Sequence, residues 1–140
     1  MHTGILLFAH GARDPRWAEP FVIIRDKLQR HHPTYPVELC FLEWMRPSLA
    51  EAVEIMLQKQ CSDLVLIPLF MAQGGHLRED LPRLIDALKK QYPRLRLTVT
   101  QALGESPELL DAIARWAAAQ IPPFKQLPDH LDPCDNDRFI

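Results

Sequence analysis

The sequence predicts an α/β domain in which four parallel strands, in the order 2-1-3-4, carry helices on both faces. Three observations lead there. Apolar runs of strand length alternate with longer stretches whose apolar residues recur at helical spacing, the alternation repeats four times, and prolines punctuate the units. Such regular alternation builds parallel strands joined by right-handed helical crossovers. In the flavodoxin-like arrangement the first strand then lies between the second and the third.

Each element follows in turn. Ile5 to Ala9 reads as a buried strand, and Trp17, Phe21, Ile24 and Leu28 mark one face of a helix running from Trp17 to His31, closed by Pro33 and Pro36. Val37 to Leu42 is the second strand. Pro47 sits where a first helical turn tolerates proline, and Leu49, Val53, Met56 and Leu57 form the next apolar stripe. Leu64 to Phe70 is the most apolar strand. Leu77, Leu81, Leu84, Ile85 and Leu88 place a helix over Leu77 to Tyr92, ended by Pro93. Leu95 to Thr100 alternates like a strand with one exposed face, and Ser106-Pro107-Glu108 is a cap with proline at the first helical position, opening a helix through about Gln120.

The chain has 140 residues, 47% of them hydrophobic, enough for a single domain over 1–120 that buries a core unaided. Residues 121–140, rich in proline and aspartate and without periodicity, predict an extended or partly disordered tail. A net charge of -2 lacks the basic excess that nucleic acid demands, so no nucleic-acid partner is expected. The three cysteines form no C-x-x-C, and no signal-peptide pattern opens the chain, so a cytoplasmic location is expected. Apolar runs are too short to span a bilayer, so no membrane is expected.

Ligands of open parallel sheets bind beyond the carboxyl ends of the strands, where strand order reverses. Three residues fall there: His10 after the first strand, Glu43 after the second in CFLEWMRP, and His76 after the third in PLFMAQGGHLRED. Neighbouring strands lie about 4.8 Å apart, so these ends can converge within roughly 10 Å. Two imidazoles and a carboxylate suit a divalent first-row metal and leave coordination positions open. Gly74 and Gly75 let the backbone turn tightly beside a ligand. Taken alone, His10-Gly11 is equally compatible with a hydrogen-bonded cap or a phosphate loop.

HGARD after the first strand, FLE after the second and above all PLFMAQGGHLREDLP resemble the short form of the sirohydrochlorin chelatases, the CbiX-like class II tetrapyrrole chelatases, over about residues 4 to 120. The resemblance implies a chelatase-like fold and insertion of cobalt, iron or nickel as a divalent ion into sirohydrochlorin without ATP. It also implies a homodimer with the cleft formed across the pair. Under it His10 and His76 correspond to the two active-site histidines and Glu43 to an acidic metal-binding residue. Gln73 stands where members often carry proline before the two glycines. The long form's cysteine motif is absent, so no iron-sulfur cluster is expected.

Sirohydrochlorin is a polycarboxylate, and Arg13, Arg16, Arg46 and Arg78 are the cationic candidates for its rim. Phe8, Trp44, Phe70 and Met71 offer apolar surface, with Phe8 and Phe70 expected in the core. Two other readings stand beside this one. Phosphoryl transfer through His10 resembles the phosphohistidine phosphatases, but their R-H-G has Ala9 here in place of arginine. A tetrapyrrole or metal carrier would use the same residues without turnover.

Overall fold

The computed structural model describes residues 2–122, with the side chain of His76 excepted. The expected tail, from residue 123 on, therefore lies outside the described residues. Four strands, β1 (His2–Ala9), β2 (Val37–Phe41), β3 (Cys61–Pro68) and β4 (Arg96–Val99), form one parallel sheet in the order β2-β1-β3-β4. The helices are α1 (Glu19–His31), α2 (Leu49–Gln58), α3 (Gly75–Gln91) and α4 (Pro107–Ala119). The strand order is the one expected.

Two apolar clusters fill the two sides of the sheet. On one side Leu7, Ala9, Val37, Leu39 and Phe41 meet Trp17, Phe21, Val22 and Leu28 of the α1 region. On the other Leu6, Phe8, Leu64 and Leu66 meet Ala52, Val53 and Met56 of α2 and Leu77, Leu81 and Leu88 of α3. Alternate residues of β1 thus serve opposite layers, as the pleat requires, and both layers exclude water from a strand that is apolar throughout. Phe8 and Phe70 pack edge to face in the core with centroids 5.5 Å apart, as expected of them.

Some boundaries differ from the sequence reading, each for a local reason. Residues Pro15–Ala18 form a 3-10 turn capped by the Asp14 carboxylate, and α1 starts afresh at Glu19 because Pro20, without an N–H, fits only its first turn. Pro47 precedes α2, joined to Arg46 by a cis bond, and the helix opens at Ser48, whose hydroxyl accepts from Glu51 N–H while the Glu51 carboxylate accepts from Ser48 N–H. β3 begins three residues early, where Cys61 pairs with His2, and ends at Pro68. α3 starts at Gly75, so His76 lies on its first turn, and Pro82 sits inside it. Among the described residues no helix is long and apolar enough to cross a membrane.

Candidate metal site

The site is built from the ends of β1 and β2. Their parallel register pairs Ala9 with Phe41 and continues past both strands, with Leu42 N–H donating to Ala9 C=O at 2.9 Å and Glu43 N–H to His10 C=O at 3.0 Å. Residue 43 is thereby held beside residue 10. Gly11 makes the approach possible. Its φ is 93°, in the left-handed region, and a Cβ there would overlap the Glu43 carbonyl oxygen. Its small size answers to this backbone contact, whereas the residue types alone explain nothing so specific.

The side chains meet as a result. His10 Nε2 stands 3.4 Å from Glu43 Oε1, with each side chain 49% exposed. His10 Nδ1 lies 3.1 Å from the Gly11 carbonyl, which can only accept, so Nδ1 carries the hydrogen and the neutral ring presents a lone pair at Nε2. In that tautomer two acceptors face each other, and a proton or a cation between them would satisfy both. Two ligands bonded at about 2.1 Å and set at the tetrahedral angle lie about 3.4 Å apart, so the pair has the bite of a single first-row ion. Among the described residues no third histidine, cysteine or carboxylate joins it in a metal-sized cluster.

His76 belongs to the loop region after β3, the strand next to β1, and its backbone is the second residue of α3. Its side chain is outside the described residues. Gly74 caps α3 in extended conformation, φ -67°, and no protein atom lies within 4 Å of where a Cβ would stand at Gly74 or Gly75. Neither glycine is imposed by a contact with other protein atoms. Gly104 was not expected to matter, yet a Cβ there would overlap the Met71 carbonyl, and its N–H donates to Phe70 C=O at 2.9 Å. It pins the third loop against the turn before α4.

The arginines divide. Arg13 and Arg46 line a cavity of about 440 Å³ together with Trp44 and Arg25, a cavity whose lining takes in neighbours of His10 and Glu43 in the chain but neither of the two. Arg46 also meets Glu51 at 3.5 Å. Arg16 is taken up by Asp14 at 2.8 Å, which holds that carboxyl below its ordinary value. Arg78 lines a different groove, between α3 and Val99 on the sheet edge. Cys40 is buried, and desolvation followed by the charge of Glu38 pushes its thiol up to about 12.

A family model described as CbiX matches residues 4–119. The chain is 30% identical over 118 residues to the sirohydrochlorin cobaltochelatase of Saccharolobus solfataricus, covering 80% of this chain and 91% of that one. Its structure is similar to that of a CbiX protein from Marinobacter aquaeolei, with a TM-score of 0.74 and 27% identity over 84% of this chain and 95% of that one. It is also similar to the sirohydrochlorin chelatase SirB from Bacillus subtilis subspecies spizizenii in complex with cobalt. That likeness has a TM-score of 0.73 at 21% identity, covers 86% of this chain and 51% of the other, and bears on the fold alone.

Proposed function

Since the chain belongs to the CbiX family, we propose that it is a sirohydrochlorin chelatase, inserting a divalent metal into sirohydrochlorin without ATP. The observation that carries the reading is the opposition of His10 Nε2 and Glu43 Oε1 at 3.4 Å on the rim of the sheet's switch point. A phosphate would meet the Glu43 carboxylate there and be repelled, which disfavours phosphoryl transfer.

Insertion exchanges two pyrrole N–H protons for one divalent ion, so charge balances and two protons must leave. His10 and Glu43 hold the incoming ion, with His76 as a further ligand from the adjoining loop. As the macrocycle nitrogens bind the ion, His10 Nε2 is released and accepts one pyrrole proton, and the other leaves to solvent. The imidazolium so formed has a partner for each N–H: the Gly11 carbonyl at Nδ1 and the Glu43 carboxylate at Nε2. The donor set, imidazole with carboxylate, accommodates cobalt, iron or nickel alike, so supply selects the metal.

The reading extends to a cytoplasmic enzyme of siroheme- or cobalamin-type tetrapyrrole synthesis that works as a homodimer. Pairing of two copies is supported by α4, which packs chiefly against the turn before it and leaves Leu110, Ile113 and Trp116 exposed. The test is direct. Protein incubated with sirohydrochlorin and Co²⁺, Fe²⁺ or Ni²⁺ should change the visible spectrum faster than the spontaneous reaction, and His10→Ala and His76→Ala should each lose most of that acceleration. No acceleration with any of the three ions would sink the proposal.

A further inference from the structure

Trp44 is the residue the fold explains least. It follows Glu43 directly, carries φ 66° in the left-handed region, and leaves its indole 58% exposed. A bulky side chain pays conformational strain there that glycine would not. No core cluster contains the indole. Its described partner is the Arg13 guanidinium, 4.2 Å from the ring centroid.

Arg13 is unusual in its turn. Arg25 and Arg46, which line the same cavity, face Asp26 at 2.9 Å and Glu51 at 3.5 Å, whereas among the described residues Arg13 meets no carboxylate. The acid in the cavity wall, Glu38, is held by Lys59 at 3.0 Å. A guanidinium stacked on an indole keeps its in-plane N–H groups free for a bidentate acceptor. An aromatic face bearing a free guanidinium edge, on the residue that follows Glu43, fits a flat conjugated ring with carboxylates on its periphery.

We propose that Trp44 and Arg13 form one wall of the substrate site, the indole stacking on the edge of the macrocycle and Arg13 binding one of its peripheral carboxylates. The proposal rests on the chelatase reading and adds to it two positions that act in ring binding, not in holding the ion. The left-handed conformation of residue 44 is what turns the indole outward beside Glu43.

The experiment measures affinity for metal-free sirohydrochlorin by calorimetry, alongside KM and kcat for cobalt insertion, in wild type, Trp44→Ala, Trp44→Phe, Trp44→Gly and Arg13→Lys. Trp44→Ala should raise Kd and KM about tenfold with kcat within about twofold, and Trp44→Phe should recover most of the loss. Arg13→Lys, which keeps the charge but not the planar fork, should lie between wild type and Trp44→Ala. Trp44→Gly should bind as weakly as the alanine variant while melting no lower than wild type, since the strain is gone. Cobalt affinity without the macrocycle should be unchanged in all four. Wild-type Kd and KM in Trp44→Ala and Trp44→Gly would overturn this wall and leave the chelatase reading standing. A wild type that binds sirohydrochlorin without inserting metal would overturn catalysis alone, and one that binds none would overturn both.

Discussion

Gly11 lies so close to Glu43 that a Cβ on residue 11 would overlap the Glu43 carbonyl oxygen, and this contact sets the distance between the two loops that carry His10 and Glu43. The strand register brings residue 43 beside residue 10, but the loops can close only over a residue without a side chain at φ 93°. Gly11→Ala is expected to push the second loop outward, cost at least about 1 kcal/mol of stability and abolish cobalt binding. Urea unfolding and a cobalt titration on the same sample check both parts. Cobalt binding at wild-type strength in a folded Gly11→Ala protein would show that the loops have another way to meet.

Glu43→Gln separates the ligand role from a structural one. The His10–Glu43 pair is half exposed, and exposed ion pairs contribute little, so the unfolding midpoint should move by no more than about 0.5 kcal/mol of equivalent stability. The amide keeps the size of the carboxylate but not its charge, and cobalt affinity should fall by about tenfold or more. Affinity retained alongside an unchanged midpoint would remove Glu43 from the ion site.

The parts of the molecule that depend on periodicity were open to reading from residue types: the four units, the order 2-1-3-4, and His10 and Glu43 side by side at the strand ends. Those that depend on backbone geometry were not. His10-Gly11 alone fits a cap or a phosphate loop, whereas its glycine answers to the Glu43 carbonyl on another loop. Trp44 takes a conformation that no local motif announces, since neither glycine nor asparagine marks it. Gly104 is silent until the fold places Met71 against it. The Ser48–Glu51 capping box, by contrast, is written in the sequence as S-x-x-E directly after Pro47.

Trp116 and Ile113 offer a test of pairing that does not depend on catalysis. Both project from α4, 66% and 43% exposed, so replacing them costs the single chain little burial. A Trp116→Glu, Ile113→Glu double variant should keep its unfolding transition at high dilution. By light scattering it should show half the wild-type mass at concentrations where the wild type is paired. A wild type that is monomeric at every concentration, or a variant with undiminished mass, would remove α4 from any interface.

Asp63 gives a prediction with a definite sign in pH. Its carboxyl is held below the ordinary 3.8, first by the hydrogen bond from Arg96 and then by that from Ser62, with Arg96 Nη2 donating to Oδ2 at 2.9 Å across the β3–β4 ladder. A carboxylate whose folded pKa is depressed contributes stability that is complete above its unfolded value and disappears as pH falls through the lower folded value. Unfolding midpoints of wild type and Asp63→Asn should therefore differ at neutral pH, with wild type the more stable, hold that difference down to about pH 4, and converge below it. Because the Arg96 side chain is 71% exposed, the neutral-pH gap should be small and should shrink in high salt. Parallel curves down to the acid limit would mean that the Arg96 contact adds nothing to the edge of the sheet.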